Sequence, residues 1–138
     1  MKTIVVGYDN TEPSKRALER AADIAEKFGS QIVVTSVSPV MSPSGTHGTA
    51  GVDPTDPPAQ HDAELQEAHA YLSGRSLAAE LQPAVGDPAD TIVEVAEQSG
   101  ATLIVVGTRE PGTLERLLGT SVSQSVSKHA HCDVLIVH

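Results

Sequence analysis

The sequence predicts an α/β fold with an open, doubly wound parallel sheet, and three observations predict it. Its strand candidates are continuous apolar runs rather than alternating ones, the pattern of strands covered on both faces. Segments with apolar residues at three- and four-residue steps lie between them, as amphipathic helices require. The joins from first strand to helix to second strand are short, which forces parallel pairing through a right-handed crossover.

Residues 2–8 give the first strand, an apolar run bounded by polar residues. Thr11 then offers an N-cap, with Glu12 and Pro13 in the first helical turn. Ala17, Leu18, Ala21, Ile24, Ala25 and Phe28 form the apolar stripe of this helix, and Gly29 ends it. Residues 31–37 are a β-branched second strand. Residues 39–60 are rich in Pro, Ser, Thr, Gly and Asp and contain no Lys or Arg. They predict a flexible loop, either a tolerated surface insertion or a lid over the carboxyl ends of the strands. A helix over about 59–72 leads to a third strand at 81–85. Asp87 and Pro88 open the next helix, with Asp90 at its third position, and Gly100 closes it. Residues 102–106 and 133–137 are the last two strands. Between them lie a glycine-containing loop, a turn marked by Leu114, Leu117 and Leu118, and a helix marked by Val122, Val126 and Ala130.

The whole chain, residues 1–138, reads as one domain, since 138 residues suffice for one core and crowd two. One Phe, two Tyr and no Trp leave the core to Val, Ile, Leu and Ala, and leave no row of aromatic platforms for a single nucleic acid strand. A net charge of −9 repels a phosphate backbone and an anionic lipid surface, so neither nucleic acid nor membrane is expected as a partner. A mononucleotide stays open, because backbone N–H groups hold phosphate whatever the net charge. Cys132 is the one cysteine, which excludes an internal disulfide and suits a reducing compartment. Ile4-Val5-Val6 before Gly7 is far short of a signal or spanning segment, so the expected location is cytoplasmic.

In open α/β sheets, ligands bind outside the carboxyl ends of the strands, where strand order reverses. Gly7, Tyr8 and Asp9 leave the first strand there, Val37 the second, and Gly107 with Thr108, Arg109, Glu110, Pro111 and Gly112 the fourth. Thr120, Ser121, Val122 and Ser123 open the last helix, whose unpaired N–H groups and hydroxyls suit an anion. Gly107 and Gly112 allow close backbone approach. Spacing alone leaves open whether this is an anion site or only a turn and an N-cap.

In its motifs the chain resembles the universal stress protein family. Val5-Val6-Gly7-Tyr8-Asp9 matches that family's first strand and the Asp that follows it. The late signature is Gly, two residues, Gly, nine residues, then Gly and Ser or Thr; without gaps it falls on Gly107, Glu110, Thr120 and Ser121. Gly86-Asp87-Pro88-Ala89 matches the turn into the third helix, and the runs 103–107, 121–126 and 133–137 match the flanks. The resemblance implies a Rossmann-like five-stranded sheet of order 3-2-1-4-5, of the adenine nucleotide alpha hydrolase-like kind, often dimeric. It also implies that Gly7, Tyr8, Asp9 and Val37 hold adenine, largely through main-chain groups. Ribose and phosphates would fall to Gly107, Thr108, Arg109, Gly112, Thr120, Ser121, Val122 and Ser123. The expected ligands are ATP or AMP, with cyclic AMP and Mg²⁺ as further candidates.

Two positions depart from the signature: Glu110 and Thr120 stand where it has glycine. Thr120 keeps an N–H and adds a hydroxyl. Glu110 adds charge: two like charges about 4 Å apart repel by about 4 kcal/mol at an effective dielectric of about 20, and by about 1–2 kcal/mol when solvated. ATP therefore suffers more than AMP or a cyclic nucleotide.

The expected function is a nucleotide-responsive binding and signalling module in the stress response. A slow Mg²⁺-dependent ATPase and a dimerising scaffold that has lost nucleotides are the alternatives. No Walker-type Gly-Lys-Ser/Thr occurs, and no catalytic residue is assigned. His129, His131 and Cys132 are close in sequence but fall at the end of the sheet opposite the expected site, so no metal is assigned.

Overall fold

The computed structural model describes residues 3–38, 58–108 and 122–138. In chain order the elements are β1 (Thr3–Gly7), α1 (Glu12–Phe28), β2 (Gln31–Ser38), α2 (Pro58–Gly74), β3 (Ala79–Val85), α3 (Pro88–Ser99), β4 (Ala101–Gly107), α4 (Val122–His129) and β5 (Asp133–Val137). The five strands form one parallel sheet of order β3-β2-β1-β4-β5. The chain thus winds out from β1 in one direction and from β4 in the other, the doubly wound arrangement that the apolar runs predict.

Alternate residues of each central strand face opposite layers, and both layers are apolar. Ile4 and Val6 of β1, Ile32 and Val34 of β2 and Val105 of β4 lie under Ala17, Leu18, Ala21 and Ala25 of α1 and Leu65, Ala68 and Leu72 of α2. Val5, Val33, Ile104 and Val106 face Ile92, Val95 and Ala96 of α3 and Val126 of α4. This is why the strands read as unbroken apolar runs: neither face has water to meet. Burying each of the Val, Ile and Leu side chains among them contributes about 1.5–3 kcal/mol.

Local signals set the helix ends. The Thr11 side chain accepts from Ser14 N, and Gly29 takes the left-handed conformation (φ 68) with its N–H on Ala25 O. Asp87 accepts from Asp90 N, and Gly100 ends α3 at φ 66.

Three boundaries differ from the sequence reading. Helix α2 begins at Pro58, so the last residues of the expected loop are helical, with proline in the first turn where its missing N–H is harmless. Strand β3 begins at Ala79 rather than Leu81, because Ala79 pairs with Ile32; on this edge strand exposed Glu80 breaks the apolar run. Phe28 continues the α1 stripe by spacing yet is 59% exposed, at the last helical residue where the chain turns away toward β2. The rest of the expected 39–60 loop lies outside the described residues. Among those described, no helix is long and apolar enough to cross a membrane.

Candidate nucleotide site

All four helices run back from the carboxyl ends of the strands, so their N-termini gather at that edge of the sheet. Gly7, Val37 and Gly107 end or nearly end three neighbouring strands, β1, β2 and β4. The register places Gly7 beside Thr35 and Val6 beside Val105, so the segments leaving β1 and β4 are neighbours.

What joins them most tightly is Gly107. A Cβ there would lie 2.4 Å from the backbone carbon of Pro13 and 2.6 Å from its oxygen. No side chain fits, because the first turn of α1 is pressed onto the end of β4. Next to Pro13, Ser14 Oγ accepts from Asp9 N at 3.3 Å. Asp9, the α1 opening and Gly107 therefore form one continuous set of contacts. Gly7 is also packed: a Cβ on it would meet Ile92 Cδ1 at 3.0 Å and Val106 Cγ1 at 3.3 Å.

Two main-chain donors at this edge are committed elsewhere, and so is the Asp9 carboxylate. Tyr8 N donates to Thr35 O at 3.0 Å and Thr108 N donates to Val137 O at 2.9 Å, each extending a strand pair by one bond. Asp9 Oδ1 accepts from Thr11 N at 3.1 Å and from Thr11 Oγ1 at 2.6 Å, which closes a small turn ahead of α1. Within that turn Asn10 has φ 63, a left-handed conformation that Asn tolerates better than most residues.

The helix openings differ in charge. Helices α1 and α3 carry Glu12 and Asp90 in their first turns, in addition to their caps. Helices α2 and α4 have no acid there, and α4 ends on Lys128 and His129. Its positive N-terminal end is thus not offset by its own first turn. Ser123 is buried in that turn, and Val126 anchors the helix beside Val106.

On the α2 side, two carboxylates line the same edge. Tyr8 is buried, and its hydroxyl donates to Glu67 Oε1 at 2.5 Å. Ser36 Oγ donates to Glu64 Oε1 at 3.0 Å, with both residues buried. Burial first, then the Glu67 hydrogen bond and the charges of Glu67, Glu64 and Asp9, hold the Tyr8 hydroxyl protonated well above the usual phenol range.

Of the site residues expected from sequence, Gly7, Tyr8, Asp9, Val37, Gly107, Thr108, Val122 and Ser123 belong to this edge; Arg109, Gly112, Thr120 and Ser121, with Glu110, lie outside the described residues. Sequence reasoning missed Pro13, Ser36, Glu64 and Glu67. Nothing local marks them: Glu64 and Glu67 read as ordinary helix acids, and only the fold brings the Ser36 and Tyr8 hydroxyls to them.

The histidines at the opposite end have structural partners. His129 Nδ1 lies 2.8 Å from Ser125 O, and His131 Nδ1 lies 2.6 Å from Glu97 Oε2. Burial, then the charges of Asp133 and Glu97, push the Cys132 thiol up. Among the described residues no cluster of metal-ligating side chains occurs.

Comparison with known proteins adds four findings. The profile of the universal stress protein family matches residues 1–138. A universal stress protein of Mycobacterium tuberculosis is 37% identical over 146 residues, covering 99% of this chain and 96% of that protein. Among solved structures, a universal stress protein in complex with cAMP is 31% identical with a TM-score of 0.74, covering 99% of this chain and 97% of that one. A universal stress protein from Archaeoglobus fulgidus, 22% identical, shares the fold at a TM-score of 0.77 over 100% of this chain and 99% of its own.

Proposed function

The chain belongs to the universal stress protein family, and from that premise we propose that it is an adenine-nucleotide-binding module whose ligand lies across the carboxyl ends of β2, β1 and β4. The observation that carries this reading is the Gly107–Pro13 contact, which holds the β4 exit against the Asp9 turn. One cleft then has a base end at β1 and β2 and a phosphate end at the α4 opening. The relative solved with cAMP, alike over nearly its whole length, supports the ligand class.

Charge orders the candidate ligands. The chain carries −9 overall, and Asp9, Glu64 and Glu67 cluster around Tyr8 at the base end. Glu110 adds a negative charge to the phosphate loop by sequence. Ligands with fewer phosphate charges are favoured, so cyclic AMP and AMP come ahead of ATP, which would need Mg²⁺ to offset its charge. We assign a signalling role in the stress response, in the cytoplasm, with ATP hydrolysis at most slow.

We also propose a homodimer joined through β5. The two sheet edges differ: β3 carries Glu80, Gln82 and a mid-strand Pro83 that has no N–H to offer. Strand β5 presents Val134, Leu135 and Ile136, each only half-buried, with no proline or lysine to blunt it.

Denaturing the purified protein and analysing what is released tests the ligand: an adenine nucleotide is expected. Release of nothing, together with no shift in melting temperature on adding cAMP, AMP or Mg²⁺-ATP, would favour the second reading, a scaffold whose phosphate loop Glu110 has disabled.

A further inference from the structure

The Tyr8 side chain stands at a junction to which the nucleotide reading, resting there largely on main-chain groups, gives no role. Its ring is 4% exposed and belongs to the core cluster that includes Leu18, Leu65 and Ala68. Its hydroxyl donates to Glu67 Oε1 at 2.5 Å and lies 3.3 Å from Asn10 Oδ1. Glu64, three residues before Glu67 and so on the same helix face, accepts from Ser36 of β2. The residue after β1 and a residue of β2 thus each hand a hydroxyl to α2. On the other side of Tyr8 is Asn10, whose left-handed conformation lets Thr11 fold back onto Asp9 Oδ1.

We propose that Tyr8 and Glu67 are positioning residues: their hydrogen bond, formed between the residue after β1 and α2, fixes the Asp9–Asn10–Thr11 turn and thereby sets the preference for adenine at the base end of the cleft. The selectivity part rests on the nucleotide reading above; the ordering of the turn does not. Asn10 pays a conformational penalty for its left-handed φ, so a neighbour that restrains it narrows the turn to one shape. The Tyr8 hydroxyl, held by Glu67 of α2 and 3.3 Å from Asn10 Oδ1, is that neighbour. Phosphate contacts at the far end of the cleft do not depend on it.

The test has two arms. In unliganded Tyr8→Phe, ¹⁵N relaxation should show Asn10 and Thr11 order parameters falling below about 0.6 from a rigid value near about 0.85, with residues 17–25 of α1 unchanged. In binding, the same variant should lose about fivefold in AMP affinity, as expected for one hydrogen bond, and little for GMP, so the AMP-to-GMP ratio shrinks. Glu67→Leu should reproduce both effects. Glu67→Gln, which keeps an acceptor oxygen, should restore them. Unchanged order parameters at Asn10 and Thr11 overturn the proposal, as does an equal loss for AMP and GMP, which would mean only general loosening. If the wild type binds no nucleotide while Tyr8→Phe still disorders the turn, the nucleotide reading fails and the positioning role stands.

Discussion

Helices α1 and α4 open onto the same edge of the sheet from opposite faces, and they are finished differently. At α1, Thr11 accepts from Ser14 N, Asp9 closes a turn just ahead of the helix, and Glu12 adds negative charge in the first turn. Helix α3 repeats this with Asp87 and Asp90. At α4 the first turn has no acid and the last turn carries Lys128 and His129. The fold supplies several helix ends of the same polarity at one edge, and the sequence neutralises some of them from within. Under the nucleotide proposal, the opening of α4, whose own first turn carries no acid, is the end that suits an anion.

The largest expected effect tests what brings the two openings together. Gly107→Ala forces a Cβ into the Pro13 backbone, so α1 or the end of β4 has to move. Urea denaturation should show a loss of about 2–3 kcal/mol, and nucleotide binding should disappear with it. Unchanged stability would mean the two segments are not held against each other. Next is Glu110→Gly, which should strengthen ATP binding by about 1–2 kcal/mol in titration calorimetry and AMP binding by less. Equal gains would remove the charge argument. Asp87→Ala strips the cap from α3, a helix with its charge already balanced. It should cost about 1 kcal/mol of stability and leave affinity untouched, which separates capping from ligand binding. The smallest effect comes from Gln124→Glu, at the third residue of α4. An acid there should stabilise the helix by about 0.3–1 kcal/mol while weakening cAMP and AMP by a similar amount. Parallel changes in stability and affinity would show that α4 does not face the ligand.

What could be read from the sequence is what is encoded locally. Thr11, Gly29, Asp87 and Gly100 announce helix ends through bonds to residues three or four away, and the structure has all four in those roles. The double winding was legible because Ile4, Val5 and Val6 are apolar at consecutive positions, which only a sheet covered on both sides explains. Long-range contacts were not legible. Gly107 reads as a glycine that lets the backbone approach an anion closely, yet Pro13, more than ninety residues earlier, accounts for its missing side chain. Shorter but still long separations hide Glu64 and Glu67, whose partners Ser36 and Tyr8 lie in and just after other elements. Phe28 fits the helical period and still faces solvent, because periodicity shows which face is apolar and not how far along the helix the sheet extends beneath it.

Pro83 has a consequence for how large an assembly of this chain can grow. A sheet with two open borders can recruit copies at both and extend without limit, the geometry of a fibre. With proline interrupting one border, lateral growth is possible from the other alone. In the proposed homodimer, two chains meeting there across a twofold axis would use up each other's remaining border, and the assembly would stop at a pair.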